Sequence, residues 1–278
     1  MVEYPGVPVP GLTTDATDSS FFRYLQTHAP ERLPWNRRPA KPVDAVPHGT
    51  TVLAVIYAGG VLIAGDRRAT MGNQIARRDL EKVYPADGHS AIAFAGTVGL
   101  AVDLVKLFQI ELEHYERVEG VPLSIEGKVN KLGAMIRANL AQAEAGLAVI
   151  PLYAVWDDRQ GVGRIFSTDV TGFVSENRDY ESVGSGSYFA KGALKKLYRD
   201  GATESEAARM CVEALYDAAD DDSATGGPDL VREIFPTLAT VNADGYRRYS
   251  SEETGTIARS VVSDRHGDPG GARSVPRQ

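Results

Sequence analysis

The chain has 278 residues, 43% of them hydrophobic, enough for one large single-core domain or two small ones. A net charge of -7 and a pI near 5.3, with no basic stripe, argue against nucleic acid as the main partner, because phosphate binding needs a basic face. No stretch approaches the ~18 to 20 apolar residues that span a bilayer, the N-terminal region lacks the order of a secretory signal, and Cys211 is the only cysteine; membrane insertion, internal disulfides and cysteine-based metal clusters are therefore excluded, and a cytoplasmic location is expected.

Residues 1–49 hold eight of the fifteen prolines and show no sustained period, so they read as a mostly irregular leader. FFRYLQT has enough pattern for a turn of helix inside it. From Thr51 the texture changes: TTVLAVIY, the turn AGG and VLIAGDRRAT read as a hairpin of β-branched and apolar residues. Short strands follow at EKVYP and SAIAFAG. Leu100, Leu104, Leu107, Phe108 and Leu112 then share one face of a helix reaching about Tyr115, and Val129, Leu132, Met135, Ile136 and Leu140 mark a second helix after Pro122. Strands are expected at LAVIPLYAVWD, GRIFSTDV and YESVGSG, and helices at SYFAKGALKKLY and SEAARMCVEALYDAAD, where Cys211 reads as a buried structural thiol. FPTLATVNADG and YRRYS form a late hairpin turning at NADG, EETGTIARSVVSD a last helix, and residues 264–278 a flexible tail. Runs of strands and runs of helices, in place of strict alternation, predict an α+β layered domain with helices covering two sheets from outside.

The familiar hydrolytic sets are absent. His28, His48, His89, His114 and His266 are scattered with no metal-ligand spacing, there is no GxSxG elbow, and GSGS at 184–187 lacks the phosphate-loop pattern. The Gly49-Thr50 pair offers another chemistry. A threonine hydroxyl needs a base beside it. If the chain were cut before Thr50, the freed α-amino group, with a pKa near ~8, would place nucleophile and base on one residue. Glycine in front leaves the backbone free to bend for attack by the Thr50 hydroxyl on the Gly49 carbonyl. Taken alone, the pair also fits a loop end followed by a strand start. Asp66, in GDRRAT, ends an apolar strand and calls for a partner, for which Lys82 in LEKVYP is the candidate. Such a pair beside Thr50 would lower the pKa of its hydroxyl, while a surface salt bridge is the plainer alternative. Gly96, in AFAGT, precedes a helix where a backbone N–H can face a developing oxyanion.

Together, GTTVLAV, AGDRRAT, the lysine of EKVY, AGT, VGSGS and DSATGG resemble the β subunits of proteasomes, in particular the catalytic subunit of actinobacterial 20S particles, with ELEHYE, EGVPL and LYDAADDDSATGGPDLVR narrowing the match. The resemblance spans roughly residues 49 to 262. It implies the N-terminal-nucleophile hydrolase fold, a four-layer αββα sandwich of two antiparallel sheets between helical layers. It also implies a threonine endopeptidase with a propeptide at 1–49, removed by autocatalysis, and a catalytic domain at 50–263. Thr50 matches the nucleophile, Asp66 and Lys82 the acid and lysine that assist it, and Gly96 the oxyanion donor. Ser185 and Asp222 match groups around the terminal amine, and Thr225 stands where many relatives carry a further serine. Thr70 and Gly96 match positions that pair with an extended substrate. Ala69, Leu80, Phe94, Val98 and Val102 match the lining of the main specificity pocket, and their apolar character implies cleavage after hydrophobic residues. The bulk of Phe94 is expected to shorten that pocket. No metal or organic cofactor is implied. The implied partners are α subunits and other β subunits in stacked seven-membered rings, and an ATPase ring that delivers tagged proteins.

Three other readings differ in testable ways. A bacterial two-component protease subunit also opens with a double threonine but lacks a long leader and the DSATGG segment. A catalytically dead β subunit would usually lose the threonine, lysine or aspartate, all kept here. An α-type gating subunit would have no glycine-threonine junction.

Overall fold

The computed structural model describes residues 20–33, 36 and 49–267. The leader expectation for 1–19, 34–35 and 37–48, including His48, and the tail expectation for 268–278 lie outside the described residues.

Apolar runs of β-branched residues open the domain: β1 (Thr51–Tyr57) and β2 (Gly60–Gly65) form the expected hairpin. Alternate side chains leave a strand on opposite faces. Val52, Ala54, Val61 and Ile63 therefore point into one apolar layer, while Leu53, Val55, Leu62 and Ala64 point into another. Both faces being covered explains why the runs carry no polar alternation. Next come β3 (Ala69–Met71) and β4 (Gln74–Arg77), a small separate ribbon, and then β5 (Val83–Asp87) and β6 (Ser90–Gly96).

The period then switches to helical. The long α2 (Val98–Glu119) stops at Gly120, whose φ of 71° supplies the left-handed cap. Ser124 caps α3 (Ile125–Ala138), which ends sooner than its apolar spacing predicts: Asn139 interrupts it, and Leu140 opens the short α4 (Leu140–Glu144). The strands β7 (Val149–Asp157), β8 (Val162–Thr168), β9 (Val174–Asn177) and β10 (Tyr180–Gly184) follow. After them come α5 (Ser187–Leu197) and α6 (Glu204–Asp221), the latter started by a reciprocal Thr203–Glu206 capping box. The hairpin β11 (Thr237–Asn242) and β12 (Gly245–Arg248) leads into α7 (Ser251–Gly267), which carries helix past the expected tail boundary at 264.

Two five-stranded antiparallel sheets result, ordered β10-β1-β2-β11-β12 and β5-β6-β7-β8-β9. Between them lie small and β-branched residues such as Ala54, Ala91, Ala93, Ala154 and Val241. Leu194, Cys211, Leu215 and Val261 of α5, α6 and α7 cover the first sheet, and Leu104, Phe108, Leu132 and Met135 of α2 and α3 cover the second. The order of layers is helix, sheet, sheet, helix, as the α+β reading and the resemblance imply. Among the described residues no helix is long and apolar enough to cross a membrane.

Before the sandwich, FFRYLQT is more than a turn. It forms α1 (Phe21–His28), capped by Ser20 and packed on α2.

Candidate active site

The end of β2 meets the start of β1, and this junction builds the site. Asp66 follows the last residue of β2 and is fully buried, with a polar partner on every side. Its Oδ1 accepts from Thr51 N (2.8 Å) and Lys82 Nζ (2.5 Å), and its Oδ2 from Arg68 N (2.9 Å) and Gly226 N (2.8 Å). Three backbone N–H groups and the Lys82 amine thus satisfy this buried carboxylate in a dry setting. Lys82, one residue ahead of β5, is 3% exposed. The plainer alternative of a surface salt bridge therefore fails: the pair is interior. Burial pulls the Lys82 pKa below that of an ordinary lysine, against the opposing pull of Asp66.

Gly49 and Thr50 lie across this pair. The Thr50 hydroxyl donates to the Gly49 carbonyl oxygen at 2.5 Å, and Lys82 Nζ reaches the same oxygen at 3.4 Å. Lys82 also donates to Arg68 O at 2.5 Å. Position 49 has room only for glycine, since a Cβ there would stand 2.3 Å from Thr70 Oγ1 and 2.6 Å from the Ala224 side chain. Gly96 ends β6 with φ 112°, and a Cβ there would collide with Ala148 O at 2.1 Å.

On the other side of Thr50, Ser185 N donates to Thr50 O at 2.9 Å. Ser185 Oγ and Thr225 Oγ1 each donate to Asp222 Oδ2 at 2.6 Å. Thr225 thus brings a hydroxyl onto Asp222, and it is fully buried. Thr51, which sequence reasoning treated only as the start of a strand, joins this cluster. Its hydroxyl accepts from Gly186 N at 2.9 Å and shares a 2.6 Å hydrogen bond with Thr225 Oγ1. The signal was the doubled threonine itself, because a hydroxyl at a fully buried strand position must find partners. Thr51→Val keeps the shape and strands the Gly186 N–H. We expect a loss of about 1–3 kcal/mol in denaturant unfolding, and an unchanged midpoint would show that the hydroxyl bonds contribute nothing.

A small cavity of about 20 Å³ opens beside Thr50, lined by Leu80, Phe94, Val98 and Val102 together with Gly96 and Lys82. Ala69 is buried but is not part of this lining. Tyr84, Ala101 and Glu81 are additional walls. Tyr84 lies two residues beyond Lys82 along a strand, and Ala101 three beyond Val98 along a helix, so both were readable from periodicity. Thr70 sits on β3, which pairs with β4 alone among the described strands, leaving its other edge open beside Gly49.

Chemically, the site holds a hydroxyl against a carbonyl, a buried lysine on the same oxygen, and a carboxylate that fixes the lysine. That set suits nucleophilic attack at a carbonyl carbon. The sequence model of the family described as "Proteasome subunit" matches residues 46–233. The chain is 57% identical over 255 residues to "Proteasome subunit beta 2" of Thermomonospora curvata, covering 91% of each chain. It is 55% identical over 259 residues to "Proteasome subunit beta" of Streptomyces griseus subsp. griseus, covering 92% of each. The "Proteasome subunit beta" of Acidothermus cellulolyticus is 54% identical over 273 residues, 96% of this chain and 92% of that one.

Proposed function

Since the chain belongs to the proteasome subunit family, as a β subunit of the 20S core that assembles with α subunits, we propose that it is a threonine endopeptidase. Its nucleophile is the Thr50 hydroxyl, uncovered when the chain cuts its own Gly49–Thr50 bond. The observation that carries this reading is the placement of Thr50 Oγ1 and Lys82 Nζ on one carbonyl, that of a glycine no other residue could replace.

In self-cleavage the Thr50 nitrogen is an amide and cannot take a proton. Lys82, with its lowered pKa, is the base that can. Thr50 Oγ attacks the Gly49 carbon as its proton leaves. The carbon–nitrogen bond then breaks, the nitrogen gains a proton to become the free amine, and Gly49 is left as an ester on Thr50. Water hydrolyses that ester and releases a leader ending at Gly49. Afterwards the Thr50 amine sits on the nucleophile itself and accepts the hydroxyl proton when a substrate carbonyl is attacked. Asp66 holds Lys82, whose charge favours the developing alkoxide. Ser185, Asp222 and Thr225 orient the amine and the attacking water, and the backbone at Gly96 faces the oxyanion.

An unfolded chain would lie extended along the open edge of β3 at Thr70, adding a strand. Its side chain before the cut would enter the pocket of Leu80, Phe94, Val98 and Val102, which favours apolar residues. Phe94 fills part of that space, so small aliphatic residues should be preferred over aromatic ones. Phe94→Leu should raise kcat/KM for aromatic relative to small aliphatic substrates by about tenfold. An unchanged ratio in fluorogenic peptide profiling would remove Phe94 as the determinant. Stacked seven-membered rings and an ATPase ring feeding tagged proteins complete the proposed setting.

A peptide epoxyketone tests the chemistry directly, because it closes a ring only on a residue bearing both a free hydroxyl and a free amine. Labelling of Thr50 in the assembled particle is expected. Hydrolytic activity that survives the reagent with Thr50 unlabelled would sink the reading.

A further inference from the structure

A second cavity, of about 40 Å³, shares two walls with the surroundings of Asp66 and has no part in the proposed chemistry. Arg67, Arg68 and Arg78 line it, with Gly226, Phe235 and Pro236. Arg68 precedes β3, Arg78 follows β4, and Ala69 pairs with Arg77, so the ribbon brings these two arginines to one end. Guanidinium groups gathered around so small a space repel one another unless acceptors stand among them. What the chain itself offers is incomplete. Arg67 Nη2 pairs with Asp79, but its Nε is buried with no hydrogen-bond partner among the described residues. Arg68 Nη1 has a neutral acceptor, Ser223 O, at 3.0 Å. Arg78 is exposed and makes no hydrogen bond or ion pair among the described residues. The acid in the lining, Asp229, is already taken by Val231 N, Arg232 N and Arg232 Nη1. A buried N–H without an acceptor calls for a missing partner. Guanidinium forks match carboxylate and phosphate oxygens, but a carboxylate has only two, enough for one fork. Three arginines suit the four oxygens of a tetrahedral ion. At ~10–15 Å³ per water the cavity has space for about three waters, which admits such an ion but no nucleotide or peptide.

We propose that the cavity of Arg67, Arg68 and Arg78 is a binding site for an inorganic oxyanion of the phosphate type, and that its occupancy steadies the Asp66–Lys82 pair. The second half follows from the walls. Arg68 N donates to Asp66 Oδ2 at 2.9 Å and Arg68 O accepts from Lys82 Nζ at 2.5 Å, so the backbone of one wall holds both members of the pair. Gly226 N, from another wall, donates to the same Oδ2 at 2.8 Å. A Cβ at Gly226 would stand 2.8 Å from that of Arg68, so glycine keeps the two segments in close contact. An ion held by Arg68 and Arg78 ties this backbone to the end of the ribbon.

Titration calorimetry with inorganic phosphate, at constant ionic strength against chloride, reads the site in the full chain carrying Thr50→Ala. One phosphate per chain is expected. Arg67→Gln and Arg78→Gln should each weaken it by about ten- to a hundredfold, the worth of a hydrogen bond to a charged group. Arg199→Gln, outside the cavity, should leave it unchanged. Both cavity changes fall on partly or fully exposed residues, so the fold should hold, and unaltered hydrogen exchange in β6 would show it. At ten times its Kd, phosphate should slow amide exchange at Arg68 and Gly226 by about tenfold. Binding that chloride matches, or that Arg67→Gln and Arg78→Gln leave intact, overturns the site. Unchanged exchange at the two amides in the bound state overturns the coupling to Asp66 and Lys82. The same titration on the particle assembled with α subunits decides against a rival occupant. Binding kept there supports the proposal; binding lost there would assign the arginines to a carboxylate of a neighbouring subunit and overturn it. Thr50→Ala removes the proposed nucleophile, so these outcomes do not depend on the protease reading.

Discussion

Thr50→Ala keeps residues 1–49 attached to the assembled subunit and reduces peptide hydrolysis by roughly ten-thousand-fold or more, the usual cost of deleting a covalent nucleophile. The loss is expected to be this complete because no other hydroxyl faces the Gly49 carbonyl among the hydrogen bonds of the site. Thr51 Oγ1 is occupied by Gly186 N and Thr225, and Ser185 Oγ by Asp222. The fold should survive, since the Thr50 hydroxyl bonds only its neighbouring carbonyl. Intact mass and a fluorogenic peptide assay check both parts. Normal processing in Thr50→Ala would move the nucleophile elsewhere.

Lys82→Ala should slow self-processing by about a hundred- to ten-thousand-fold, the range for loss of a positioned acid–base group. It should do so without unfolding the chain, because Asp66 retains its bonds from Thr51 N, Arg68 N and Gly226 N. The pH dependence has a definite sign. In the proposed mechanism the neutral amine takes the proton; burial lowers the Lys82 pKa, so processing should accelerate as pH rises toward that lowered value. Lys82→Arg, which is never neutral, should flatten the profile. Rates of leader loss at a series of pH values read this out, and efficient processing in Lys82→Ala would take lysine out of the mechanism.

The sandwich was legible where burial is encoded locally. The runs that became β1, β2, β6 and β7 are apolar on both faces because both are covered, and α2 and α6 keep their stripes over several turns. Elements defined by distant partners were not. β4 is exposed throughout and β9 has half its residues exposed, so neither has a buried apolar face of its own, and both exist through their pairing with β3 and β8. α1 depends on Glu111, some ninety residues away, for two of its bonds. At the site, Asp66 and Lys82 were readable as types, an acid at the end of an apolar strand and a lysine ahead of another. Their interior position and the three amides around Asp66 needed the fold. Thr51 was missed because a β-branched residue opening a strand already has a sufficient local reason. Ala69 failed to join the pocket lining although its neighbour Thr70 stands beside Gly49.

Intact mass of the subunit purified from particles assembled with its α partner, measured alongside peptide hydrolysis, decides whether Thr50 is the N-terminal nucleophile. The expected result is a chain that begins at Thr50, has lost residues 1–49, and is active. A full-length chain that hydrolyses peptides with the Thr50 nitrogen still in its peptide bond, or one that stays uncut and inert in the assembled particle, would contradict it.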